Sequence, residues 1–194
     1  MIDIARHTRY VSGLPSKAGE AGGDPGPSTA RGVYLGVKAA VRRALGKDDM
    51  RGVHVAIQGV GSVGGGLARH LAADGARLTL ADRDPAKAAA LAAGLGGQAV
   101  EADAIMTVAA DVFSPCALGA ILTRDSIGAL QAPIVAGGAN NQLATPADGD
   151  ALLARGITYA PDYVINAGGI INVALEYLGQ GTRAAVDEKI DGIP

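Results

Sequence analysis

From residue 28 onward the apolar positions alternate between two rhythms. "STARGVYLGVKAAVRRALG" places Val33, Val37, Ala40, Val41, Ala44 and Leu45 at helical spacing, with Ser28 or Thr29 as N-cap and Gly46 as C-cap. This predicts an amphipathic helix of about four turns. Beyond it, short apolar runs follow one another at regular intervals: "VHVAIQ", "RLTLAD", "ADVFSP", "PIVAGG" and "ITYAPD" read as strands. Between and after them, "SVGGGLARHLAADG", "PAKAAALAAGL", "RDSIGALQ", "PADGDALLARG" and "GGIINVALEYLG" read as helices. Strands apolar enough to be buried on both faces, each followed by a helix, predict an α/β domain with a doubly wound, mostly parallel sheet and helices on both faces. The stretch "SKAGEAGGDPGPS", residues 16–28, has no period and reads as an ordered loop or a linker. The expected organisation is an N-terminal segment and linker over 1–27, the α/β domain over 28–180, and a truncated tail over 181–194.

Composition narrows the class. Aromatic residues make up 3% and tryptophan is absent, so a core that draws on 48% hydrophobic residues must be built from Ala, Val, Leu and Ile, as in α/β proteins. A net charge of −2 gives no long-range field for nucleic acid or an anionic membrane surface, which leaves a small molecule as the expected ligand. The single cysteine, Cys116, excludes an intrachain disulfide and a cysteine-based zinc cluster; no metal site is expected, and a reducing, cytoplasmic setting fits. No run reaches the roughly 20 apolar residues of a membrane span, and "MIDIARHTRYV" lacks the pattern of a signal peptide.

The strongest local signal is "VAIQGVGSVGGGLARHLAADGARLTLADRD", in which a strand runs into Gly59-Val60-Gly61-Ser62-Val63-Gly64, then a helix, a second strand and Asp82. Gly59 permits the tight turn, Gly61 lets a pyrophosphate approach the backbone, and Gly64 lets the helix lie close to the sheet. The helix N-terminus offers free amides to the diphosphate. Glycine loops occur by chance, but strand, helix, second strand and terminal acid together predict a Rossmann-type dinucleotide site. At Asp82 a carboxylate accepts hydrogen bonds from the adenosine ribose and repels a 2′-phosphate, favouring NAD over NADP; the neighbouring Arg83 could soften that choice. Either residue could instead be a solvated turn residue.

Other candidates are read against plainer roles. His7, His54 and His70 share no spacing and suit non-catalytic positions. Cys116 and Ala117, after the strand "ADVFSP", are expected to line the cofactor crevice through their backbone, since a lone cysteine is usually a small buried hydrophobe. Lys38 is expected on a solvated helix face. "GGANNQL" also follows a strand end, so Ala139, Asn140 and Asn141 are expected on the same crevice edge as Asn166 and Asn172. Neutral amides there suit recognition of a carboxamide, a ribose or an amino acid's polar end, and cannot act as proton-transfer bases. Capping and loop bonding remain the alternative for each.

Five blocks in order, "STARGVYLGVKAA", "QGVGSVG", "SPCALGA", "VAGGANNQL" and "APDYVINAGGIINVALEY", resemble the cofactor-binding domain of the leucine, valine and phenylalanine dehydrogenases, in the amino-acid dehydrogenase superfamily with glutamate dehydrogenase. The resemblance runs from Thr8 to Tyr177. It implies that Thr29 and Asn166 hold the nicotinamide carboxamide and that Asn140 reaches toward the nicotinamide ribose and the substrate's polar end. Ile170 and Val173 would line the pocket for the substrate side chain; three apart on a helix, they face one way, although both are apolar enough to be ordinary core.

Nothing here matches the family's first half, which carries the substrate-binding and catalytic lysines and the aspartate that works with them. The resemblance therefore implies a fragment: NAD(H) as ligand, an amino-acid substrate only together with the missing domain, no catalytic residue in this chain, and homo-oligomerisation left open. The competing reading is a stand-alone dinucleotide-binding or regulatory module without catalysis.

Overall fold

The computed structural model describes residues 1–179 and 181–194; the domain boundary expected at residue 180 lies outside the described residues. A one-turn helix, α1 (Ile2–Ala5), is followed by an extended segment and then by α2 (Gly26–Leu45). The core repeats strand and helix: β1 (His54–Gln58), α3 (Ser62–Ala73), β2 (Arg77–Ala81), α4 (Pro85–Leu95), β3 (Gln98–Ala99) and β4 (Val112–Pro115). It continues with α5 (Arg124–Ala129), β5 (Ile134–Ala136), α6 (Pro146–Ala154), β6 (Thr158–Ala160), α7 (Asp162–Ile165), α8 (Gly168–Tyr177) and α9 (Arg183–Asp191). The strands lie in the order β3-β2-β1-β4-β5-β6, and every described pairing is parallel. The order reverses between β1 and β4, and the crevice where an open α/β sheet takes its ligand lies outside the carboxyl ends of those strands.

Strand alternation divides the core into two layers. Val55, Ile57, Leu78 and Leu80 point to the face covered by α2, α3 and α4, where they meet Val33, Val37, Val41, Leu67 and Leu71. Ala56, Ala81, Phe113 and Val135 point to the other face, against Ile105, Leu122, Ile127 and Leu152. His54 is spent in this frame: Nε2 lies 2.8 Å from the Thr79 hydroxyl and Nδ1 3.2 Å from the Ala109 carbonyl.

Several expectations are corrected. The first concerns the long helix, which starts at Gly26 and not after Ser28 or Thr29. Pro27 in its first turn presets helical φ, and Asp24 Oδ1 accepts the Gly26 N–H at 2.8 Å, so the helix is nucleated earlier. Ser28 is buried, and the Thr29 hydroxyl donates to the Pro25 carbonyl at 3.0 Å.

The second concerns the chain ends, expected as a linker and a tail. Glu20 and Thr182 form an antiparallel bridge, flanked by Ala21 N–H to the Gly181 carbonyl and Arg183 N–H to the Gly19 carbonyl, both 2.8 Å. After this bridge, α9 buries Val186 and Ile190 against Ala21 and Leu175. Only two residues of α9 reach the core, too few to give a visible apolar period.

The third concerns Asn172, which turns away from the crevice. It is fully buried, accepting the Gly22 N–H at 3.3 Å and donating to the Gly22 carbonyl at 3.2 Å. One turn on, the Glu176 carboxylate accepts the N–H groups of Gly13 and Leu14, at 2.7 and 2.9 Å. Helix α8 thus holds the entering chain by two side chains that satisfy backbone groups.

Two predictions follow from this frame. Asn172→Ala leaves both backbone groups of Gly22 without their partner and should lower unfolding free energy by about 2 kcal/mol in urea titration, while the folded variant binds dinucleotide like the parent. Lys38 is not on a free solvated face: it donates to Asp74 at 2.8 Å, as does the Tyr34 hydroxyl, tying α2 to the end of α3. Hydrogen bonds from Lys38 and then Tyr34 hold the Asp74 carboxyl below its ordinary 3.8. Because the folded value is the lower one, the contribution is complete above that pH and is lost as pH falls through the folded value. Asp74→Asn should therefore flatten the acid limb of the stability curve, measured by urea unfolding between about pH 5 and pH 2.

Candidate dinucleotide-binding site

The turn from β1 into α3 is packed from three sides. Gly59 has φ +88°, and a Cβ there would come within 2.8 Å of the Ala117 Cβ. A Cβ at Gly64 would strike the Gly59 carbonyl oxygen and lie 2.9 Å from the Cys116 Cβ. These two glycines are required by the protein's own packing. Gly61 is different: it has φ −69°, and a Cβ there would meet nothing within 4 Å. The space beside it is filled by none of the described residues.

Gly61 is the N-cap of α3, and the first bond of the helix runs from the Gly65 N–H to the Gly61 carbonyl at 2.8 Å. The N–H groups of Ser62, Val63 and Gly64 have no hydrogen-bond partner among the described residues. Three free amides and the positive end of the helix dipole at an open position make an anion site. The Val60 N–H is not free; it donates to Asp82 Oδ2 at 2.8 Å.

Asp82 follows β2 and therefore arrives beside the turn. Its other oxygen accepts the Asp84 N–H at 3.1 Å. The Val60 hydrogen bond is the main cause of a carboxyl held below the usual carboxylate range. Each oxygen keeps a lone pair for a further donor, such as a ribose hydroxyl. A cavity of about 370 Å3 opens here, lined by Asp82, Arg83, Gly59 and Ala117 together with Gln58, Ala102, Leu118 and Ile121. The last four were not picked out from sequence. Gln58 could have been, because it ends β1 immediately before the turn; Leu118 and Ile121 carry no distinguishing pattern. Gln58 Oε1 is buried with no partner among the described residues.

Cys116 closes the floor of the crevice. Its N–H donates to the Gln58 carbonyl at 2.7 Å and its Sγ accepts the Gly138 N–H at 3.5 Å, while burial pushes the thiol pKa up. A thiol so held is disfavoured as a thiolate and packs against the crevice floor. Val63 meets the next loop, since a Cβ at Gly138 would lie 2.8 Å from the Val63 Cγ1.

Beyond Gly138 the structure gathers the other half of the candidates. Ala139 is buried and donates its N–H to the Pro115 carbonyl at 2.9 Å, which fixes the loop that carries Asn140. Asn166 Nδ2 donates to Asn140 Oδ1 at 2.7 Å, so the two amides meet across the crevice. Asn141, with φ +53°, gives its N–H to Asp162 Oδ2 at 2.9 Å and is a loop residue. A Cβ at Gly168 would run into the Ser28 carbonyl and one at Gly169 into the Thr29 hydroxyl, so α8 begins in direct contact with α2 beside Thr29. Ile170, the next residue, is 64% exposed, and Val173 is half-buried. The buried side of α8 is made by Asn172 and Leu175.

Sheet order, glycine turn, free amides and the acid after β2 define a dinucleotide-binding domain. The chain belongs to the glutamate/leucine/phenylalanine/valine dehydrogenase family, whose model matches residues 86–192. A second model, of coenzyme F420-dependent NADP oxidoreductases, matches residues 54–114. Both descriptions point to a nicotinamide nucleotide as the ligand. The chain is 47% identical to leucine dehydrogenase of Thermoactinomyces intermedius over 98% of its own length and 51% of that protein's. The crystal structure of L-tryptophan dehydrogenase from Nostoc punctiforme superposes with a TM-score of 0.87 at 41% identity, covering 98% of this chain and 53% of that one. A hetero-hexameric glutamate dehydrogenase from Thermus thermophilus, at 24% identity and a TM-score of 0.69, shares the fold. The chain thus spans about half the length of the curated relatives it matches.

The glycines give a paired prediction. Gly64→Ala should cost about 1–3 kcal/mol of stability through overpacking. Gly61→Ala meets no atom of the described residues, so its unfolding curve should stay within about 0.5 kcal/mol of the parent, while NADH affinity in calorimetric titration falls by about tenfold or more. Unchanged NADH binding in Gly61→Ala would remove the diphosphate from this position.

Proposed function

We propose that this chain is the NAD-binding portion of an amino-acid dehydrogenase that converts a branched-chain or aromatic L-amino acid to its 2-oxo acid and ammonia. The observation that carries the reading is the open position at Gly61, faced by three unpaired amides and flanked by a partly satisfied carboxylate. The residues fit the ligand at both ends. The turn over Gly59, Val60, Gly61, Ser62, Val63 and Gly64 would take the diphosphate, and Asp82 the adenosine ribose. Thr29 and Asn166 would hold the nicotinamide carboxamide and Asn140 the nicotinamide ribose. When bound, the nicotinamide supplies the hydride acceptor for the substrate Cα.

What the chain's own residues contribute is binding, orientation and shape. The Asn140–Asn166 hydrogen bond fixes which amide group each presents: Asn140 keeps its Nδ2 donor and Asn166 its Oδ1 acceptor free for ligand. Ile170 and Val173 offer an apolar wall for a substrate side chain. The proton steps need groups that this chain lacks: the five lysines are Lys17, Lys38, Lys47, Lys87 and Lys189, and none lies among the site residues. A lysine base and a clamp for the substrate carboxylate would come from the half of the enzyme that the family carries elsewhere. The free, half-buried thiol of Cys116 suits a cytoplasmic setting.

NAD is favoured over NADP because Asp82 keeps its charge and would face a 2′-phosphate with repulsion, against which stand the exposed Arg83 and the nearby Lys87. In calorimetric titration the chain should bind NADH more tightly than NADPH, and Asp82→Ala should narrow the gap; equal affinities in the parent would overturn the Asp82 assignment. The 194-residue chain should not measurably oxidise leucine, valine or phenylalanine, since loss of one acid–base group alone costs about 10²- to 10⁴-fold and positioning is lost with it. Clear turnover by the pure chain would refute the division of labour.

A further inference from the structure

The anion site at the start of α3 already faces a carboxylate. Asp24 lies in the loop that leads into α2, and its Oδ2 accepts the hydroxyl proton of Ser62, the first residue of α3, at 3.0 Å. Its Oδ1 accepts the Gly26 N–H at 2.8 Å, so the side chain is held at two points. Gly26 makes the approach feasible, since a Cβ there would overlap the Ser62 hydroxyl. None of the ion pairs among the described residues includes Asp24. Ser62 does not cap its own helix; its hydroxyl is turned to Asp24.

We propose that Asp24 is a specificity-setting residue that holds a negative charge at the N-terminus of α3 and thereby limits the affinity of this site for diphosphate ligands. The inference rests on the reading of this turn as the diphosphate site. Free of ligand, the positive end of the helix is partly offset by the Asp24 carboxylate, a favourable pairing. A diphosphate that takes the amides of Ser62, Val63 and Gly64 brings its own charge close to that carboxylate, and the same helix end cannot favour both equally. The Ser62 hydroxyl proton is also committed to Asp24 and not to the ligand. The carboxylate works against the anionic middle of a dinucleotide and has no comparable effect on an uncharged adenosine.

The test is calorimetric titration of the 194-residue chain and its Asp24→Asn variant with ADP, NADH and adenosine. Asparagine keeps one acceptor for the Gly26 N–H, turns an amide donor toward the Ser62 hydroxyl, which can accept from it, and removes the charge. ADP and NADH should bind the variant about three- to tenfold more tightly, adenosine should bind both alike, and the difference should shrink in about 1 M salt, where the Debye length is near 3 Å. Unchanged or weaker ADP binding by the variant, or equal tightening for adenosine, would overturn the proposal while leaving the cofactor assignment intact, provided the parent binds NADH. If the parent binds neither ADP nor NADH, the cofactor reading fails and this proposal falls with it. Asp24→Ser, with the same expected direction, covers a variant whose thermal melt shows a damaged fold.

Discussion

The closeness of approach between β1, α3 and the loop after β4 governs everything else in this molecule. Side chains are excluded at Gly59 and Gly64 because Ala117, Cys116 and the Gly59 carbonyl already fill those positions. The helix end can therefore sit against the sheet with its first amides turned outward. The same closeness lets Asp82, at the end of the neighbouring strand, tie down Val60 and stay ionised. One packing constraint thus produces a rigid turn, three outward amides and an ionised acid beside them. Small residues dominate because the architecture is short of space at its functional edge and not because it is loose there.

The α/β alternation was legible from periodicity alone, and so was the turn, because glycine spacing, strand and acid each answer to the same geometry. Other features were hidden for identifiable reasons. Strand β3 is two exposed residues, Gln98 and Ala99, with no apolar alternation to announce them. Helix α9 reads as a tail in the sequence because only Val186 and Ile190 are buried in a charged stretch. The asparagines show the limit most clearly. Asn140, Asn141, Asn166 and Asn172 are chemically alike, and only the direction of each side chain separates a pair that meets across the crevice from one that shapes a loop and one that clamps the backbone of Gly22. Spacing along the chain does not encode that direction when a one-turn helix, α7, intervenes.

The two sides of α8 carry different kinds of demand. Toward the domain it presents Asn172 and Leu175, with Glu176 reaching the entering chain, and its identity there follows from backbone groups that need partners and from a small apolar cluster. Toward solvent it presents Ile170, Tyr177 and Leu178, large apolar side chains for which folding of this domain has no use. A helix whose outer face is as apolar as its inner one is stable only to the extent that the inner contacts are specific. The paired hydrogen bonds from Asn172 and Glu176 supply that specificity where hydrophobicity cannot.

The bridge between Glu20 and Thr182 has a topological consequence. The stretch from Glu20 to Thr182 begins and ends side by side, joined by backbone hydrogen bonds on both flanks of the bridge. In polymer terms that stretch is a closed loop with a narrow neck. A unit of that shape can be carried within a longer chain without prising its host apart, because the host sees two adjacent ends in place of two distant ones.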